Sequence, residues 1–356
     1  MVVFVLLPAL KKNPTQLQAF SPRKILCLRL ARLGDVILLV PSLRALRKHF
    51  PKAEISALVG HRCAPVLEMC SAVDKVLSID RLKWRDGGKM TAARDIAGLL
   101  GSLRREKYDL VLDFHSFIET NLVSWITGAP WRMALRRSHG GYLPFCFNLE
   151  PVSEEKTLHV SAVFLSLLKP LGIEVESPDI SLDLRPHDIQ GALSFLDSHG
   201  MHPSTPLVSI FVGAGSPGRV WPKEMAAQLA QKLINQWRVG IALISGPREG
   251  VLPEEISRLV DHKNCLVASQ LSLPGVTALI GRSSLFISND TGPMHLGPAM
   301  GIPTLGLFSL GIPQHYMPLG LKSSFLQRNP LDTLSVEEVW ARIGGMPVNL
   351  IPAGQI

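Results

Sequence analysis

A chain of 356 residues with 46% hydrophobic and 19% charged content is long enough for two cores and too apolar to be disordered. Its five scattered cysteines (Cys27, Cys63, Cys70, Cys146, Cys265) contain no CxxC pair, which excludes a zinc ribbon or disulfide frame and suits the core of a reducing compartment. The net charge of +8 is lopsided: residues 1–150 hold 23 Lys/Arg against 12 Asp/Glu, +11, and the remainder 14 against 17, −3, so the first half is expected to meet something anionic.

The opening run, "MVVFVLLPALKKNP", is about half the roughly 20 apolar residues a spanning helix needs. Its positive charges, Lys11 and Lys12, follow the apolar stretch, whereas a secretory signal carries them in front. Residues 1–22 therefore read as an extension that is either disordered or in contact with lipid. "KILCLRL" (24–30) predicts the first strand, and "ARLGD" turns the chain. "VILLVPSLRALRKHF" (36–50) has apolar residues at helical spacing and basic residues in its last turn. "AEISALVG" predicts a strand, "APVLEMC" a short helix, "VDKVLSID" a strand, "ARDIAGLLGSLRREK" a helix, and "YDLVLDF" a further strand. This alternation gives a parallel, doubly wound sheet.

The rhythm restarts near residue 205. "PLVSIFV" predicts a strand, "KEMAAQLAQKLINQW" a helix, "VGIALIS" a strand, and "SLFISND" and "IPTLGLF" two strands around a short helix. In "SVEEVWARIGGM", Ser335 is placed to cap a terminal helix. The fold expected is α/β, with two Rossmann-like domains and a ligand in the cleft at the carboxyl ends of the strands. The boundaries expected are 1–22 extension, 23–175 first domain, 176–204 Pro/Asp-rich linker, 205–333 second domain and 334–356 helix and tail.

Three strand-to-helix junctions carry the candidate chemistry. "GAGSPG", from Gly213 to Gly218, matches the glycine pattern of dinucleotide sites. "RVWP" intervenes before the helix, however, and no Asp or Glu lies between Glu224 and Glu249, which argues against a nicotinamide dehydrogenase. Gly213 would still let backbone approach a ligand, and Arg219 would lie close enough to hold a phosphate. "SNDTGPMH" delivers Asp290, Thr291, Gly292 and His295 to the mouth of a helix, a setting suited to diphosphate. The ordinary alternatives are an Asp290 cap and a packed His295.

"ARLGD" places Gly34 and Asp35 at the start of a helix, with Asp35 either a cap or a carboxylate able to take a proton from a hydroxyl. "SGPRE" puts Glu249 beyond a strand tip, where it could hold a ribose. There is no Walker A loop, no HExxH and no Asp-x-Asp pair for a metal–nucleotide.

Taken together, "KILCLRLARLGDVILLVPSLRALRKHFP", "YDLVLDFHS", "GRVWP", "SGPRE" and "SNDTGPMHLGPAMGIPTLGLF" resemble glycosyltransferase family 9, the ADP-heptose:lipopolysaccharide heptosyltransferases, over about residues 23–345. The resemblance implies a GT-B fold with the acceptor on the N-terminal domain and the nucleotide-sugar on the C-terminal one. It implies inversion at the anomeric carbon with no metal ion and no cofactor. Asp35 would be the general base, and Arg219, standing where relatives usually have lysine, would neutralise the departing diphosphate. Thr291 and Gly292 would cradle phosphate, Asp290 and His295 would shape the donor site, and Glu249 would hold the ribose. The partners implied are ADP-heptose, an anionic acceptor of the Kdo-bearing lipid A type and the cytoplasmic face of a Gram-negative inner membrane, with no nucleic acid. Arg81, Lys83, Arg85, Arg132, Arg136 and Arg137 are the suspected acceptor cations. After Phe308, where relatives continue with Gly-Pro-Thr, this chain reads "SLGIPQHYMP".

Overall fold

The computed structural model describes residues 20–80, 83, 86–246, 250–269 and 271–350. The chain divides into two compact units between Asp179 and Ile180. In the first, Lys24–Arg29 (β1), Glu54–Gly60 (β2), Lys75–Ile79 (β3), Leu110–Asp113 (β4), Trp131–Arg136 (β5) and Val152–Ser153 (β6) form one sheet in the order β3-β2-β1-β4-β5-β6. Every pairing is parallel.

The second unit repeats this order. Leu207–Phe211 (β7), Gly240–Ile244 (β8), Cys265–Ala268 (β9), Leu285–Asn289 (β10), Thr304–Phe308 (β11) and Ser324–Gln327 (β12) run β12-β11-β10-β7-β8-β9, again all parallel. In each unit the strand order reverses beside the first strand, β1 or β7. In an open α/β sheet, ligands bind at that switch point, outside the carboxyl ends of the strands.

The central strands are mostly apolar because helices cover both faces of such a sheet. β7, β8, β10 and β11 are buried at every position, and β1 at all but its first. Val208, Ile210, Leu229, Leu233, Ile241, Leu243, Ile287 and Leu305 build the second core, and the terminal helix Val336–Gly344 adds Val339 and Ile343 to it. That helix starts as its sequence predicts: Ser335 Oγ accepts the Glu338 amide at 3.2 Å, and Glu338 accepts the Ser335 amide at 2.9 Å. Such a capping box contributes about 1 kcal/mol.

One expectation needs correction. The single helix over 36–50 is two, Leu33–Ile37 and Val40–His49. Pro41, lacking an N–H, cannot continue the first helix and instead opens the second. The stretch 176–204 carries a thirteen-residue helix, Pro186–Ser198, which buries Ala192 and Leu196 and packs on the helix Leu273–Gly281. Among the described residues, no helix is long and apolar enough to cross a membrane.

Candidate active site

At the carboxyl end of β1, Arg29 is an arginine inside an apolar strand, with its side chain only 4% exposed. Its Nη1 donates to the Phe114 carbonyl at 2.8 Å, and its Nη2 donates to Asp35 Oδ1 at 2.9 Å. The guanidinium lies over the Phe164 ring, 4.6 Å from the centroid. Asp35 is the third residue of its helix, whose cap is Arg32, so Asp35 is not the N-cap. Gly34, the second residue, is buried, and its carbonyl accepts the Leu38 amide. Cys63 lies nearby, 3.5 Å from the Ala31 carbonyl, and burial, with the Asp35 charge adding to it, pushes its thiol up to about 11. All five cysteines are buried.

The neighbouring strand β4 ends in Asp113, which is fully buried. Its Oδ1 accepts the amides of His115 (3.0 Å) and Ser116 (2.7 Å), and its Oδ2 accepts Asn121 Nδ2 at 3.1 Å. These bonds fix the turn that presents the Phe114 carbonyl to Arg29 and hold Ser116 in the left-handed region at φ 56°. Burial dominates the hydrogen bonds and pushes the Asp113 carboxyl up to about 6. Above the usual carboxylate range the folded state thus keeps a proton that the unfolded chain has shed, so the stability this group contributes at low pH is lost as pH rises towards 6. Relative to Asp113→Asn, wild-type stability from urea titrations should fall by about 2–3 kcal/mol between pH 4 and pH 6.5. A difference flat across that range would refute the assignment.

The suspected acceptor cations have separate fates. Arg132 is structural: its Nε donates to the Cys146 carbonyl at 2.7 Å, its Nη1 donates to the Ala129 carbonyl, and burial lowers its pKa. Arg136 is exposed at the end of β5, and Arg137 lies over the Phe117 ring at 5.5 Å. Lys83 is exposed and pairs with Asp95 at 3.4 Å. Arg81 and Arg85 lie outside the described residues, as does Glu249.

In the second unit, three strand-end loops converge. Asn289, the last residue of β10, donates from Nδ2 to the carbonyls of Val212 (2.8 Å) and Gly213 (3.2 Å), and its Oδ1 accepts the Trp221 amide at 3.2 Å. One buried amide side chain therefore ties down both ends of the glycine loop after β7. The loop carries the short turn Pro217–Arg219, and the helix begins only at Lys223. Trp221 is anchored by its indole N–H on the Leu334 carbonyl at 2.9 Å.

Arg219 Nη1 stands 3.3 Å from Asp290 Oδ2, at ion-pair distance without hydrogen-bond geometry. Asp290's side chain is 9% exposed, and its burial raises the carboxyl above the ordinary value against the pull of Arg219. From the third loop, Ser309 Oγ donates to the Gly218 carbonyl at 2.6 Å. Gly311 packs so closely on the pair that a Cβ there would fall 2.1 Å from Asp290 Oδ2 and 3.1 Å from the Phe308 ring.

Thr291 caps the turn Gly292–His295 in extended backbone, and His295 is 2% exposed, packed rather than displayed. Pro293 has no N–H, and Met294's amide donates to the Thr291 carbonyl at 3.1 Å. Thr291 and Gly292 are thus the residues of this turn that can offer amides to an anion, with the Thr291 hydroxyl beside them. The structure brings Gly213, Arg219, Asp290, Thr291 and Gly292 together around the switch point of the second sheet, and Gly34 with Asp35 at that of the first.

The model of the family described as "Glycosyltransferase family 9 (heptosyltransferase)" matches residues 96–334. The chain belongs to glycosyltransferase family 9. Its α/β architecture of two six-stranded units is the GT-B fold, and the protein is a glycosyltransferase of the lipopolysaccharide heptosyltransferase family. It is similar to the lipopolysaccharide core heptosyltransferase OpsX of Haemophilus influenzae, 22% identical over 300 residues that cover 84% of this chain and 82% of the relative. Among solved structures it resembles the family 9 glycosyltransferase of Veillonella parvula, with a TM-score of 0.78, 24% identity, and coverage of 90% of this chain and 95% of that one. It also resembles E. coli ADP-heptose lps heptosyltransferase II, with a TM-score of 0.75, 20% identity, and coverage of 90% and 97%.

Sequence reasoning about this family 9 glycosyltransferase missed Arg29, Asn289, Ser309 and Gly311. A signal existed for the first two, since a lone arginine or asparagine at the end of a buried parallel strand requires a polar partner.

Proposed function

We propose that this enzyme transfers heptose from ADP-heptose, with inversion and without a metal ion, to the inner core of lipopolysaccharide, on Kdo-lipid A or a heptosyl acceptor. The observation that carries the reading is the Arg219–Asp290 pair, held at 3.3 Å beside Thr291 and Gly292 at the switch point of the second sheet. A fixed guanidinium next to amide donors and a hydroxyl is suited to a diphosphate leaving group. The E. coli neighbour, an ADP-heptose enzyme by its description, supports that donor.

In the reaction, Asp35 accepts the proton of the acceptor hydroxyl as that oxygen bonds to the anomeric carbon. The bond from that carbon to the diphosphate breaks on the opposite face, and ADP leaves with the negative charge. Arg219 and the Thr291–Gly292 amides stabilise that charge as it develops. Asp290 orients Arg219, His295 packs beneath the turn, Gly213 lets the loop backbone come close, and Glu249 is assigned to the ribose.

The acceptor side is supported by the +11 balance of residues 1–150. Lys89 and Arg94 are exposed on the helix Lys89–Arg105, which buries only Leu103. Such a surface suits a phosphorylated lipid at the cytoplasmic face of the inner membrane of a Gram-negative bacterium, where each basic residue near an anionic leaflet contributes about 1 kcal/mol.

Calorimetric titration of ADP, UDP and NAD without added metal should give binding of ADP alone, and labelled heptose should then pass from ADP-heptose to a lipid A acceptor. Preference for UDP would remove ADP-heptose as donor. Binding of none would favour a nucleotide-sugar protein that kept the fold and lost the chemistry.

A further inference from the structure

We propose that Arg29 is the positioning residue for Asp35, fixing the carboxylate at the angle from which it takes the acceptor proton; this rests on the reading of Asp35 as the base. Burying a guanidinium costs several kcal/mol unless its donors are met, and an apolar side chain in a strand such as β1 is as stable or more so. The four residues before Arg29 have no exposure at all, so an apolar residue would have been the simpler choice for folding.

Two elements hold the guanidinium still. The end of β4 takes Nη1 through the Phe114 carbonyl, and the helix Val160–Ser166 lays the Phe164 ring against its plane. Phe164 is in turn held edge-on by Phe114, with centroids 6.1 Å apart. Nη2 then reaches Asp35 Oδ1 at 2.9 Å.

The aspartate's own setting supports this. An aspartate in the first turn of a helix ordinarily serves the helix terminus. Here the helix has no side-chain cap bond, and the Asp35 carboxylate is tied to Arg29. Its side chain remains 19% exposed, so the carboxylate is anchored from below and open to solvent above. Only an arginine meets these demands together, because its planar fork bonds two acceptors while its face stacks on a ring. A lysine would keep the charge and lose the geometry.

The test is a double-mutant cycle on transfer kinetics. Arg29→Met should lower kcat about a hundredfold, the loss expected from a misplacement near 1 Å. KM for both substrates and the ADP affinity should change less than about threefold, because the Phe114 carbonyl, the Phe164 ring and Asp35, which hold Arg29, are not among the residues assigned to the donor. Arg29→Lys should recover part of the loss. Asp35→Asn keeps an oxygen able to accept from Arg29 yet cannot act as base, and Arg29→Met added to it should slow the enzyme no further. If Arg29→Met does not fold, Arg29→Gln and Arg29→Lys run the same cycle.

Wild-type kcat in the Arg29 variants would overturn the proposal, as would a second loss of similar size in the Asp35→Asn background, which marks a purely structural role. Rapid turnover by Asp35→Asn alone would instead overturn the reading of Asp35 as base.

Discussion

Asp35→Asn is expected to slow sugar transfer about a thousandfold, the central range for removing a general base, while leaving ADP binding unchanged. Three features of the site set that size. The amide is nearly the same shape and can still accept from Arg29 Nη2, so the buried guanidinium keeps a partner and the fold should survive. The amide cannot take a proton at neutral pH, so the attacking oxygen must reach the anomeric carbon as a neutral hydroxyl. The residues proposed to hold the nucleotide belong to the second unit, whereas Asp35, the proposed base, belongs to the first, so calorimetry with ADP is expected to read the donor site independently of Asp35. Retained turnover in a folded variant would remove Asp35 from the role.

Arg219→Ala should reduce kcat by roughly a hundredfold or more, the usual effect of deleting a donor aimed at developing charge. It should also weaken ADP binding by about ten- to a hundredfold, the value of one charge-assisted bond. A further cost falls on Asp290, which loses the one cation named beside its buried carboxyl, while its burial already raises that carboxyl's pKa. Arg219→Lys should sit between wild type and alanine, since a lysine retains the charge without the planar fork. Steady-state kinetics with ADP titrations on both variants decide this. Wild-type affinity and rate in Arg219→Ala would free the diphosphate from Arg219.

The second half of the fold was the more legible in the sequence, and the reason is burial. "KEMAAQLAQKLINQW" is a helix over the same fifteen residues, Lys223–Trp237, because its apolar stripe faces one sheet without interruption. β7, β8, β10 and β11 read as strands because both faces are covered. The edge strands β6, of two residues, and β12, half exposed, carry too little pattern to be seen. β5 was hidden by its arginines: "WRMALR" alternates too irregularly to read as a strand, and Arg132 becomes internal only because the carbonyls of Cys146 and Ala129 receive it.

At the site, the junctions after β1, β7 and β10 were visible as motifs, but what braces them was not. Arg29 finds Asp35 six residues on, yet its other partner, the Phe114 carbonyl, is 85 residues away. Asn289 reaches 77 residues back to Val212. Such pairings depend on which strands become neighbours, and one sequence read in order carries no distance between them.

Gly311 carries a consequence for substitution. With Asp290 Oδ2 occupying the place where a methyl group would stand, positions 290 and 311 amount to a single choice. A side chain gained at 311 must displace the Asp290 carboxylate from its place beside Arg219. Any residue larger than glycine at 311 therefore acts on the Arg219–Asp290 pair as well as on its own loop.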